Sequence, residues 1–375
     1  KKLLATGNGR CNLTNMNAAP PRYHSEGGEF ASSALGLLPP DETLAWFGSL
    51  GLVTRTEPSG RVYPLSDAAG SVVDVLRLAL DARGVEVLCG FDAATACRRE
   101  PGFLVTAYDG RELPCEKLII ACGGMAGAKL GGTKSGYELL AGFGHRRTAL
   151  HPSLVQLKTD SAWTRSMKGV RTQALLTLER AGVSLAMAAG EVQFTDYGVT
   201  GPGVFDLSRA ASFAGTGCMV VLRLLPELTE TQLIDYMTKK QEDFPAFPAE
   251  NLLTGLLHGA VGRTIIRRAG IALDTRLWSL TETPISDIAA IILRYELPLL
   301  GTNGFEDAQV TAGGVETVGF HPESMESRLV PGLYACGEVL DVDGDCGGFN
   351  LQWAWSSGRI AGLSAAGLTE VSRYA

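Results

Sequence analysis

No two of the eight cysteines stand in C-x-x-C spacing, and the five histidines make no H-x-x-x-H pair. A zinc or iron–sulfur site is therefore unsupported, and no metal is expected. No apolar run reaches transmembrane length and no signal peptide opens the chain, which points to a cytoplasmic protein with no membrane partner. A basic stripe is also missing. The net charge is −7, the arginine pairs Arg98-Arg99 and Arg267-Arg268 are isolated, and no nucleic-acid partner is expected. The chain begins Lys1-Lys2-Leu3, without an initiator Met, and contains no G-x-G-x-x-G turn. No repeat or low-complexity segment interrupts it.

What is present is an apolar, glycine-rich chain. Of 375 residues, 45% are hydrophobic and 19% charged, enough for a sizeable core. The 46 glycines cluster in pairs and short groups, as tight turns and close ligand approaches require. Cysteines within apolar runs, such as Cys122, suit a reducing compartment.

Periodicity divides the chain. Asp41 to Leu50 and Asp67 to Arg83 read as helices, with Val72, Val75, Leu76, Ala79 and Leu80 along one face of the second. Gly84 ends that helix and Val85 to Leu88 reads as a strand. Asp109-Gly110 between alternating runs predicts a hairpin. Leu118 to Cys122 reads as a buried parallel strand ending in Gly123-Gly124. From His151 short strands follow (Leu154 to Leu157, Ala174 to Glu179, Val192 to Thr195, Val220 to Leu224). Helices then follow over Glu230 to Glu242, Ala249 to Arg268 and Pro284 to Leu293. After Gly304 short strands return, and Phe349 to Leu363 is a helix with a small-residue stripe, Ala354, Gly358 and Gly362, suited to lying close on a sheet. The expected domains are 1–150 and 304–375 as two parts of one α/β domain, 151–226 as a β-rich domain and 227–303 as a helical subdomain.

Three segments carry candidate chemistry. In the most informative, the strand Leu333 to Cys336 feeds Gly337-Glu338, an acidic loop, Gly347-Gly348 and a helix opening at Phe349-Asn350-Leu351. A helix N-terminus behind a Gly-rich loop receives an anion or a polarised oxygen, each such contact contributing about 0.3–1 kcal/mol when exposed. That suits the N1/O2 edge of a flavin, with Glu338 placed for a ribityl hydroxyl. A solvated turn or a calcium loop is the alternative for Asp341 to Asp345, but the closing Glu of an EF-hand is missing and an apolar helix follows. The second segment ends in Ala121, Cys122, Gly123 and Gly124, where backbone passes close to a ligand at a strand's C-terminal edge. In the third, Gly7, Asn8, Gly9, Arg10, Cys11 and Asn12 form a loop whose arginine offers a fork to phosphate or to a flavin carbonyl; a capped turn explains the same residues equally well.

Together, GNGRCNLTN at 7–15, IIACGG at 119–124, FTDYGVTGP at 194–202, AQVTAGGV at 308–315 and the run at 332–358 resemble the HI0933-like flavoproteins, also described as the aminoacetone oxidase or BaiN-type family. The resemblance spans nearly the whole chain. It implies a FAD-binding, Rossmann-like domain of the glutathione-reductase type, with a β-barrel-like domain and a helical subdomain inserted. It also implies FAD contacts at Gly7 to Asn12, at Ala121 to Gly124, and at Gly337, Glu338, Gly347, Gly348, Phe349, Asn350 and Leu351. The chain departs from the family at Asn8, where Gly is usual, at Asp196 for His, at Thr200 for Ser and at Cys346 for Thr. A thiol beside a flavin can be redox-active, although a small packed residue is the simpler reading of Cys346. Members carry an N-terminal G-x-G-x-x-G unit. Its absence here leads to the expectation of a fragment that holds FAD weakly or not at all and is by itself inactive.

The resemblance implies a FAD-dependent oxidoreductase moving hydride between flavin N5 and a small substrate, an amine or an enone or ketone, with NAD(P)H as a candidate partner. Alternatives are a non-catalytic fragment and a flavoprotein acting on tRNA. The catalytic residues stay unknown; Asp196, Tyr197 and Glu338 are candidates by position. Oligomeric state is left open.

Overall fold

The computed structural model describes residues 1–368 as two compact units, one built from 1–152 and 305 onward, the other from 153–304. Residues 369–375, the tail of the expected 304–375 segment, lie outside the described residues.

The first unit is mixed α/β. Leu118–Ile120 and Leu333–Ala335 pair in parallel, Leu118 opposite Leu333 and Ile120 opposite Ala335. An antiparallel meander, Ala93–Arg99, Gly102–Ala107 and Glu112–Cys115, accompanies them, and its second turn is the predicted one at Asp109-Gly110, with Gly110 at φ 85°. Phe103, Ile120, Leu333 and Ala335 from the strands share a core with Phe30, Ala34, Leu140, Trp353 and Ile360 from the helices. Each such fully buried large apolar side chain contributes roughly 1.5–3 kcal/mol. A smaller core holds Cys11, Leu13, Phe47 and Val72.

Three expectations change in this unit. Val85 to Leu88 is not a strand, and Val85, Val87 and Leu88 are exposed, because nothing among the described residues pairs with that run. The parallel strand stops at Ile120; Ile119, Ala121 and Cys122 are exposed rather than buried. The helix Phe349–Ala365 does not pack through its small stripe. An added Cβ at Gly358 or Gly362 would meet nothing within 4 Å. Its buried face is instead Phe349, Gln352, Trp353, Ser356, Ser357, Ile360 and Ala361.

In the second unit, six strands close into an antiparallel barrel. The two longest, Arg171–Arg180 and Val183–Phe194, turn at Ala181 (φ 50°) and Gly182 (φ 80°). Two successive left-handed residues give the twist that a tight hairpin needs. Glu230–Asp243 starts at a capping box: Thr229 Oγ1 accepts from Gln232 N–H at 3.2 Å, and Gln232 Oε1 accepts from Thr229 N–H at 2.9 Å. The expected helix from Ala249 to Arg268 is split. A short turn, Ala249–Asn251, precedes Gly255 at φ +92°, and the helix proper is Gly259–Arg268, capped by His258.

Residues 153–304, which hold most of the expected β-rich segment 151–226 and the helical segment 227–303, cluster as one compact unit. Tyr295–Thr302, which follows the last helix, pairs with Met219–Arg223 on one side and Leu157–Thr159 on the other and so completes the barrel. Barrel residues Leu176, Phe194 and Leu297 share a core with helix residues Leu233, Ile265 and Ile288.

Candidate cofactor site

The loop from Gly7 to Asn12 winds through left-handed backbone at Gly7 (φ 57°), Asn8 (56°), Gly9 (83°) and Cys11 (59°). Asn tolerates that region better than most residues, which is how Asn8 stands where glycine is usual. A Cβ at Gly7 would lie 2.8 Å from Asn12 N, so the loop closes only around a glycine there. The Cys11 side chain is core: burial pushes its thiol up to about 11, against a smaller opposing pull from a Thr6 hydrogen bond. It stays protonated and leaves only its backbone for a ligand.

The loop's far end is tied to the C-terminal helix. Asn15 Nδ2 donates to Gly347 O at 2.8 Å. Thr14 donates to Gln352 Oε1, and Gln352 Nε2 donates to Leu38 O, Thr43 Oγ1 and Ser356 Oγ, all buried. Asn350 clasps Gly344 in both directions at 2.8 Å, through its Oδ1 and its Nδ2. The first turn of the helix is thus held from three sides by polar side chains.

Its N-terminus, in contrast, is uncapped. Gly348 is the N-cap at φ 101° and supplies no side chain. A Cβ there would stand 2.5 Å from Thr14 O and 2.9 Å from Asn12 Oδ1. Asn12 Oδ1 is buried and has no hydrogen-bond partner. A helix start with free N–H groups beside an orphaned acceptor, both reached across glycine, is an arrangement a polar planar ligand would complete.

A second cluster lies at the C-terminal ends of the parallel strands. Glu338 Oε1 accepts from Thr311 N–H at 2.8 Å and Oε2 from Lys2 Nζ at 2.8 Å. A Cβ on Gly124 would come within 2.5 Å of Thr311 Oγ1 and 2.8 Å of Glu338 Oε1, whereas Gly123 (φ 74°) faces open space. Gly337 is fixed from the helix, by Ser357 Oγ accepting from its N–H and Trp353 Nε1 donating to its carbonyl. Beside Glu338, the Tyr137 hydroxyl is buried without a well-formed hydrogen bond, and burial first, then the Glu338 charge, pushes its ionisation far above the ordinary range against a smaller pull from the nearby Thr311 hydroxyl. Trp353, one turn into the helix, joins this cluster to the helix start, and the segment from Lys2 to Arg10 joins it to the loop.

The structure therefore brings Asn12, Gly347, Gly348 and the first turn at Phe349, Asn350 and Leu351 to one place, and Gly124, Gly337 and Glu338 to another. It commits Arg10 elsewhere: the guanidinium stacks 4.0 Å over the Tyr63 ring and pairs with Glu57 at 3.5 Å and Asp67 at 3.6 Å. Asp196 is an exposed carboxylate held by Lys168 at 2.6 Å, whose hydrogen bond lowers its pKa. Sequence reasoning missed Lys2, Thr311 and Gln352. Gln352 was visible in principle, as a polar residue on an otherwise apolar helix face. Lys2 and Thr311 carry no local signal.

Among the described residues no helix is long and apolar enough to cross a membrane.

The HI0933-like protein Rossmann domain matches residues 1–364. The chain is 38% identical, over 98% of its length and 90% of the relative's, to a 3-dehydro-bile acid delta(4,6)-reductase of Clostridium scindens. It is 30% identical, over 95% of its length and 87% of the relative's, to a ribosomal RNA dihydrouridine synthase of Escherichia coli K12. With the Haemophilus influenzae protein of the same name the figures are 29%, 97% and 89%. The chain belongs to the HI0933-like family of flavoproteins and is an oxidoreductase.

Proposed function

We propose that this chain is a FAD-dependent reductase of a carbon–carbon double bond conjugated to a carbonyl, built on a flavin domain of the glutathione-reductase type. The observation that carries the reading is the uncapped start of Phe349–Ala365 beside the orphaned Asn12 Oδ1. The imide edge of a flavin offers a carbonyl, an N–H and a second carbonyl. The helix N–H groups suit a carbonyl, and Asn12 Oδ1 suits the N–H. When bound, the flavin supplies a two-electron carrier able to take and give hydride.

The protein's own residues do the rest. The helix start stabilises negative charge in a polar cradle whose donors are already oriented, so no reorganisation is needed during the reaction. The Gln352 network keeps that helix start in register with the loop. Glu338, aimed by Lys2 and Thr311, offers a carboxylate to ribityl hydroxyls. Reduction of an enone adds hydride to carbon and a proton beside the carbonyl; NAD(P)H would be the source of the electron pair. The bile acid reductase among the relatives favours an enone over an amine. In the FAD-loaded protein, anaerobic NADPH should bleach the flavin, and a conjugated steroid enone should restore its colour. Bleaching by an amine, with oxygen restoring the colour and NADPH inert, would replace this reading with an oxidase.

A second reading rests on the two ribosomal RNA relatives. The C5=C6 bond of uridine is itself conjugated to a carbonyl, so the chemistry would be shared and only the size of the substrate would differ. The overall acidity does not decide against it. The 153–304 unit carries 14 basic and 15 acidic residues, so the negative charge sits in the other unit. Salt-dependent binding of ribosomal RNA with appearance of dihydrouridine would establish this reading; absence of both would remove it.

A further inference from the structure

Arg61 opens the strand Arg61–Pro64, and its backbone pairs with Asn15, the residue whose amide grips Gly347. Side chains two apart on a strand share a face. On this face Tyr63 carries the stacked and ion-paired Arg10. Arg61 is different. Its half-buried guanidinium makes no hydrogen bond, ion pair or ring contact among the described residues. It lies against Gly347: a Cβ on that glycine would stand 3.1 Å from Arg61 Nε and 3.7 Å from an Nη.

A cation without a counter-ion therefore sits beside an uncapped helix N-terminus, which is also electropositive. Neither relieves the other. What the place lacks is an acceptor edge carrying negative charge, while Asn12 Oδ1 alongside lacks a donor. We propose that Arg61, and not Arg10, is the cationic residue that faces the flavin ring, donating to the carbonyl end of the imide edge and stabilising negative charge there. This rests on the flavin reading above. Both guanidinium groups lie within reach of the same strand and loop; their pairing separates them. Arg10 is already neutralised by Glu57 and Asp67, so transferring it to a ligand would break two ion pairs.

The test uses protein loaded with FAD and sulfite as the probe. Sulfite adds to flavin N5 and leaves the negative charge on N1 and the O2 carbonyl, so its affinity reports stabilisation of charge at that end of the imide edge without turnover. Arg61→Gln should weaken sulfite binding by about tenfold or more, the size of one charge-assisted hydrogen bond, and lower the flavin midpoint potential. Arg61→Lys should recover most of the loss, and Arg10→Gln should leave sulfite affinity at the wild-type value. If Arg61→Gln does not fold, Arg61→Met keeps the stem, drops the charge and carries the same expectation. Wild-type sulfite affinity and potential in the charge-free Arg61 variants would overturn the proposal. So would the Arg10 variant showing the loss instead. Failure of the wild-type protein to take up FAD is a separate outcome: it removes the flavin reading itself.

Discussion

Two glycines separate a close approach from empty space. Gly348 sits at φ 101°, with Thr14 O 2.5 Å from the place of a Cβ. Gly358, in the same helix, has nothing within 4 Å of that place. Gly348→Ala should cost at least the ~1–3 kcal/mol of a strained backbone position and abolish flavin uptake. Gly358→Ala should stabilise the protein by about 0.5–1 kcal/mol, the helix-interior preference for alanine, and leave flavin uptake unchanged. Thermal melts with and without FAD would check both. At this scale the glycine pair was legible in the sequence, because backbone needs are local. The choice between Arg10 and Arg61 was not. It depends on Glu57 and Asp67, which reach Arg10 only after the chain has folded.

Among elements, the loop before the helix Phe349–Ala365 is anchored by charge. Asp345 accepts from His24 at 2.9 Å and Arg22 at 3.2 Å. Burial works to raise its carboxyl, but these two partners together outweigh burial and hold it below its usual range. A carboxyl depressed in the fold stabilises above its unfolded value, about 3.9, and that stability is lost as pH falls through the folded value. The wild type should therefore lose stability relative to Asp345→Asn on acidification through that window, and the two should converge below it. Denaturant melts across pH 2 to 6, values set by that reference range, would show this. A constant gap would contradict it. Elements with local signals were legible: the Asp109-Gly110 hairpin and the capping box at Thr229 and Gln232. Val85 to Leu88 was misread because an apolar β-branched run says nothing about whether a partner strand exists.

Across the whole molecule, the count of units turned on one strand. Tyr295–Thr302 closes the barrel after 70 or so residues of mostly helical chain, a pairing with no trace in nearby sequence. The same strand places the two ends of its unit side by side, Leu157 opposite Thr302. Residues 153–304 should accordingly fold alone with one cooperative transition, and Phe194→Ala should lower that unit's stability by about 3–5 kcal/mol. Two separated transitions in the isolated segment would favour the expected division at residue 226.

The cradle made by Asn12, Arg61, Gly347 and the helix start should receive a flavin. Titrating the 375-residue chain with FAD, followed by the shift in visible absorbance and in melting temperature, tests it most directly. FAD should bind saturably and raise the melting temperature, and both effects should be lost in Gly348→Ala. An unshifted spectrum and an unchanged melting temperature at saturating FAD would contradict it.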